Sequence, residues 1–192
     1  MQIIHEIGVI HGRFQPFHLH HLRYALAAKK QCKHLIIGIT NPDPSLVEED
    51  VADLNRSQKS SNPLSYYERM SIIDVSLQDS GIDKKNYSIV PFPINRPELI
   101  KNYAPNNAIF FMTIYDDWGE KKLKILRKLG FQVIVLWKKK IEDKGICASD
   151  IRLNIVNGTE WESLVNRKAA ELILSSNLHK KFGDTNNNME DI

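Results

Sequence analysis

The stretch Gly12-Arg13-Phe14-Gln15-Pro16-Phe17-His18-Leu19-His20-His21 follows directly on the apolar run Ile7-Gly8-Val9-Ile10 and limits the fold more than any other segment. A strand ends there and a helix begins. Such a junction presents unpaired backbone N–H groups and the positive end of a helix dipole, which suits an anionic group such as phosphate. Arg13, His18 and His21 add side-chain donors. On a first helical turn the spacing of His18 and His21 puts both imidazoles on one face. Pro16 lacks an N–H and stiffens the approach.

The same strand-to-helix alternation runs on through the chain. Met1 to His11 reads as the first strand, His18 to about Lys30 as an amphipathic helix, and Leu35 to Thr40 as a buried second strand. The polar stretch from Asn41 to Ser61 is too long for an ordinary connection and reads as a lid or mobile loop. Its Arg56 and Lys59 either reach a phosphate on closure or stay solvated. Ser65 with Glu68 forms a capping box opening a helix to about Gln78. Tyr87–Phe92, Ala108–Ile114 and Phe131–Trp137 supply three further strands, and Asp117 to Leu129 a helix stopped by Gly130. Alternation of this kind predicts a five-stranded parallel sheet covered by helices on both faces through right-handed crossovers. In such open sheets a ligand lies beyond the carboxyl ends of the strands, where the strand order reverses. Neither G-x-x-x-x-G-K-[ST] nor G-x-G-x-x-G occurs, which removes the main support for kinase and dehydrogenase readings.

At these residues a family resemblance enters. GRFQPFHLHH resembles the GRFQPFHxGH signature of the nucleotidyltransferase superfamily, in the form typical of archaeal-type nicotinamide-mononucleotide adenylyltransferases. One position departs: His20 stands where the family has glycine, so a side chain occupies ground where phosphate meets bare backbone. Asn62 to Met70 resembles the family's NPF-T-x-x-ER segment, which puts Arg69 near the site; a plain surface arginine is the other reading. Gly145 to Arg152 resembles a second signature, I-S-x-[ST]-x-[IV]-R, a helix N-terminus that holds the β- and γ-phosphates. Ser149 is the expected N-cap there, with Arg152 one turn later, and Cys147 replaces the first serine with a weaker donor. Asn157-Gly158 ends that helix. GTEWESLV resembles the family's G-x-x-W-x-x-LV, with Thr159 expected to cap the last helix and Trp161 to sit in the core.

The resemblance implies an α/β fold: a Rossmann-like open parallel five-stranded sheet with helices on both faces. It also implies transfer of AMP from ATP to nicotinamide mononucleotide or a related phosphorylated acceptor, giving NAD and pyrophosphate. His18, His21, Arg13 and Arg152 take the catalytic positions, and Gly12, Phe14, Cys147 and Ser149 join them around the nucleotide. Arg69, Asn95, Tyr115, Asp116 and Trp118 are the acceptor-side candidates. Tyr115 and Trp118 either stack on a flat base or, with Asp116 at an N-cap, start and pack a helix. Mg2+ is the implied cofactor, held mostly by substrate and water, with no protein ligand assigned. Cytidylyl transfer to another phosphorylated metabolite uses the same signatures and stays open, as does a non-catalytic nucleotide-binding or regulatory module.

Composition narrows the partners. The 192 residues carry a formal charge of +3 and a pI near 8.8, mild for a nucleic-acid binder and suited to a small anion. Residues 1–182 are expected as one domain and 183–192 as a disordered tail. No apolar run approaches the roughly 18 residues that span a bilayer. With no export signal, a cytoplasmic location is expected. Cys32 and Cys147 are the only cysteines, and their spacing suggests neither disulfide framework nor zinc ribbon. His11, His18, His20 and His21 cluster in sequence, yet His20 is expected to face away from the other helical pair, which weakens a metal reading. Lys121-Lys122 and Lys138 to Lys140 read as solvated faces. Symmetric homo-oligomers are common in the resembled family.

Overall fold

Five strands, His5–Gly12 (β1), Cys32–Thr40 (β2), Tyr87–Phe92 (β3), Ile109–Ile114 (β4) and Gln132–Lys138 (β5), pair in the order β3-β2-β1-β4-β5. Every pairing is parallel. The computed structural model describes residues 4–43 and 59–183. Among these residues are five α-helices, Leu19–Lys29 (α1) between β1 and β2, Tyr66–Asp79 (α2) between β2 and β3, Asp117–Lys128 (α3) between β4 and β5, and Ala148–Asn157 (α4) and Arg167–Ser175 (α5) after β5; β3 and β4 are joined without an α-helix among the described residues.

Period-2 alternation in the central strands sorts the core into two layers. Ile10, Leu35, Ile37 and Phe111 face α1, α2, α4 and α5, meeting Ala25, Ile72, Ile151 and Ile173. Val9, Ile36, Phe110 and Met112 face the other way and meet Leu123 and Leu126 of α3. Helices therefore cover both faces, as the alternation predicts. β1 pairs with β2 on one side and β4 on the other. The chain thus reverses its direction of winding at β1, and the loop after it opens at the switch point.

Local signals place most boundaries. Ser65 and Glu68 form the expected capping box, with Glu68 N–H donating to Ser65 Oγ at 3.3 Å and Ser65 N–H to Glu68 Oε2 at 2.8 Å. Gly130 and Gly158 take positive φ directly after α3 and at the end of α4. Trp161 is buried in the core.

Two caps differ from the sequence expectation. α4 starts at Ala148, so Cys147 is its N-cap and Ser149 lies inside the first turn. Thr159 opens no helix: its hydroxyl donates to Asn154 O at 3.3 Å, satisfying a terminal carbonyl of α4. The chain instead passes through Trp161 and a short 3₁₀ turn to α5, which Asn166 caps by accepting from Lys168 N–H at 2.9 Å. Arg56, most of the expected lid and residues 184–192 lie outside the described residues. No described helix is long and apolar enough to cross a membrane.

Candidate active site

At the carboxyl edge of the sheet the loop Arg13–His18 borders a cleft of about 470 Å³. Phe14 holds φ at 55°, in the left-handed region, with its ring buried. That backbone costs roughly 1 kcal/mol and is offset by burial of the ring against Phe17 and His21, at centroid distances of 5.3 and 5.0 Å. The ring folds back over Gly12, where a Cβ would lie 2.7 Å from it. Gln15 fixes the loop from beneath: its Nε2 donates to Leu64 O at 2.9 Å and its Oε1 accepts from Leu64 N–H at 3.0 Å.

His18 caps α1 and His21 follows one turn later, so their rings stack with centroids 3.6 Å apart. Both line the cleft. Opposite them the start of α4 contributes Cys147, Ala148 and Ser149. Two helix N-termini therefore face one cavity, and both dipoles favour an anion there. Arg152 reaches back from α4 to donate to Gln15 O at 2.7 Å, which ties the two signatures across 137 residues. Burial lowers its pKa, with Asp150 opposing, and a guanidinium stays protonated in proteins.

Arg13, Arg152 and Lys122 line the cleft, against Asp116 as the single carboxylate among the described residues. Lys122 is a correction. Its position on α3, one turn after Trp118, brings it to the cleft rather than to a solvated face, with its ammonium 6.0 Å from the Trp118 ring. His20 is a second. Its ring leans on Gly145, where a Cβ would sit 2.2 Å from Cε1. The bulk added at the family glycine position is thus taken up by a missing side chain on the facing loop.

Arg69 is the clearest departure. It is only 2% exposed and does not line the cleft. Its guanidinium donates to the carbonyls of Arg13 at 3.0 Å, Thr40 at 2.8 Å and Asn41 at 2.7 Å, and its Nε to Ser65 O at 3.2 Å. Spent on backbone, it braces the ends of β1 and β2 rather than reaching a ligand.

The other acceptor-side candidates do meet. Asn95, Tyr115, Asp116 and Trp118 line the end of the cleft beside α3. Asp116 is the N-cap of α3, accepting from Gly119 N–H at 2.8 Å, and Tyr115 Oη accepts from Trp137 Nε1 at 2.7 Å. Trp118 also packs on the second core layer. His11, at the end of β1, joins them in the cleft wall. Its place at the carboxyl end of the central strand was the sequence signal for it; Lys122 and Gln15 had none beyond the helix and motif that carry them. Among the described residues no group of three His, Cys, Asp or Glu is placed to hold a metal ion.

Comparisons with known proteins show what the chain is similar to. The phosphonoformate cytidylyltransferase of Streptomyces viridochromogenes is 40% identical over 175 residues, covering 91% of this chain and 94% of that protein. The nicotinamide-nucleotide adenylyltransferase of Thermococcus kodakarensis is 28% identical over 169 residues, covering 86% and 81%. A crystal structure of a bifunctional NMN adenylyltransferase/ADP ribose pyrophosphatase from Francisella tularensis superposes with a TM-score of 0.69 at 20% identity, a likeness of fold alone. This chain spans 54% of that protein's length, and 96% of this chain is covered. A model of cytidylyltransferase-like proteins matches residues 9–154, from within β1 into α4, and the chain belongs to that family of nucleotidyltransferases.

Proposed function

We propose that the protein transfers CMP from CTP to an oxygen of a small phosphonate- or phosphate-bearing acceptor. The observation that carries this reading is the convergence of two helix N-termini, the stacked His18–His21 pair, Arg13 and Arg152 on one cleft. The 40% identity to a phosphonoformate cytidylyltransferase over nearly the whole chain supports the choice of base and acceptor.

The chemistry needs no nucleophile from the protein. An acceptor oxygen attacks the α-phosphorus of the triphosphate, its bond to the oxygen bridging the β-phosphate breaks, and pyrophosphate leaves with the electron pair. Catalysis then consists of alignment and stabilisation of charge on the α-phosphate and departing oxygens. His18 and His21 donate to those oxygens, Arg13 and Arg152 hold the triphosphate, and the backbone N–H groups of Ala148 and Ser149 receive its far end. Gly12 and Phe14 shape the loop that the nucleotide crosses. Among the described residues the one carboxylate lining the cleft, Asp116, is engaged as a helix cap, so this donor set fits Mg2+ carried in on phosphate and water, where it would supply charge neutralisation.

A second reading, AMP transfer to nicotinamide mononucleotide, is favoured by the aromatic wall of Tyr115 and Trp118 and by the adenylyltransferase relatives. One experiment separates the two. Pyrophosphate release and product mass are followed with Mg2+, each nucleoside triphosphate and a panel containing phosphonoformate, other small phosphonates and nicotinamide mononucleotide. Turnover with CTP and a small phosphonate is expected. Turnover only with ATP and nicotinamide mononucleotide favours the second reading, and nucleotide binding without release for any pair favours a non-catalytic module.

A further inference from the structure

His11 is a buried histidine whose ring nitrogens, both of them, lack a hydrogen-bond partner among the described residues, and it borders the cleft. It is 6% exposed. Orphaned buried polar atoms are costly and rare in native proteins, so a site that keeps one calls for a ligand to complete it.

The ring is held in a defined plane. It stacks on Phe92 at 5.0 Å with 21° between planes and meets Phe110 edge-on at 6.4 Å. Phe92 in turn lies over Gly38 of β2, where a Cβ would fall 2.7 Å from the ring. Gly38, Phe92 and His11 thus form one stack whose free edge is the cleft. Burial, with the charge of Lys122 second, pushes the His11 pKa well below its ordinary value, so the ring is neutral and offers one N–H donor.

Alternation along β1 places His11 on the α3 face, while His18 and His21 belong to α1 on the opposite face. All three line one cleft, so a ligand beside the histidine pair has His11 on another wall of the same cavity. Resting on the reaction proposed above, we infer that His11, beside Lys122, is the specificity site for a second acidic group on a short acceptor, the carboxylate of a carboxyphosphonate being the chemical type. His11 donates to an acid oxygen and Lys122 supplies the countercharge.

The test compares wild type, His11→Phe and His11→Gln with phosphonoformate and with methylphosphonate, which lacks the second acid. The ratio of kcat/KM between these acceptors is expected to fall about ten- to hundredfold in His11→Phe, the worth of one hydrogen bond to a charged group. His11→Gln restores part of it, and the KM for CTP moves less than twofold in both. In parallel, the imidazole ¹⁵N signals of His11 are followed in wild type, and they shift on adding phosphonoformate and hold still with a non-hydrolysable CTP analogue alone. An unchanged acceptor ratio, or ring signals indifferent to phosphonoformate, overturns the assignment. If wild type releases no pyrophosphate with any pair, the proposed reaction falls, and the ring signals still decide the site.

Discussion

Replacing Arg69 by Met separates two accounts of one residue. The family segment around it suggests a contact with the acceptor, whereas the structure turns its guanidinium onto the carbonyls of Arg13, Thr40 and Asn41. Methionine keeps most of the side-chain volume and removes the donors. Burial pushes the Arg69 pKa down to about 10, so the side chain stays a cation at neutral pH. Each hydrogen bond to a charged donor is worth about 1.5–3 kcal/mol net. Water from the cleft can replace part of that at the loop carbonyls, which leaves a loss of about 2–4 kcal/mol. For a chain of this size the melting temperature drops by roughly 5–15 °C. Arg69→Lys does not rescue, because an ammonium cannot span three carbonyls from one planar fork. Thermal unfolding is measured with and without CTP, alongside acceptor KM. Loss of acceptor binding at an unchanged melting temperature refutes the bracing role and restores the ligand contact.

Other outcomes follow from the same geometry. His21→Ala is expected to lower kcat about a hundred- to thousandfold, the worth of one preorganised donor, while thermal unfolding shows an intact fold; a near-normal rate removes His21 from the chemistry. Gly145→Ala forces a Cβ against His20 at a backbone φ of +70°, and adding His20→Ala relieves the clash but not the backbone cost, giving a coupling of at least about 1 kcal/mol in a double-mutant cycle. Strictly additive stabilities refute that contact. Asp74 sits under burial that raises its pKa, outweighed by hydrogen bonds from Lys84 and Tyr87 that lower it overall. A depressed folded pKa gives stability that is complete above the unfolded value near 3.9 and lost as pH falls through the folded one. Asp74→Asn should therefore be less stable than wild type at pH 7 in urea melts, and the gap should close as pH falls from the unfolded value through the folded one; a gap constant across that range counts against it.

Local chemistry made much of this molecule legible. The apolar runs of β1 to β5, the capping box at Ser65 and the glycine stops at Gly130 and Gly158 are short-range signals, and each element forms within a few residues of its expected bounds. The signature at Gly12 to His21 likewise predicts the His18–His21 pair, because a helical turn fixes which side chains share a face. Misplacements occur where a local cue had two readings. Ser149 is a good capping residue, but α4 begins two positions earlier, and the Thr159 hydroxyl closes a helix where its type suggested opening one.

What the sequence by itself determined is the set of elements, their alternation and the anion-receiving junction after β1, since these depend on periodicity and on backbone groups within a few residues. Only the tertiary structure decided where side chains spend their donors. Gln15 clasps Leu64, Arg152 reaches Gln15, and Arg69 ties together three segments distant in sequence. It also brought Lys122 into the cleft, laid His20 on Gly145 and buried His11 with no hydrogen-bond partner for its ring among the described residues. Polar side chains bond to whatever the folded chain brings within about 3 Å, and across a sheet those neighbours are set by strand order and packing rather than by distance along the chain.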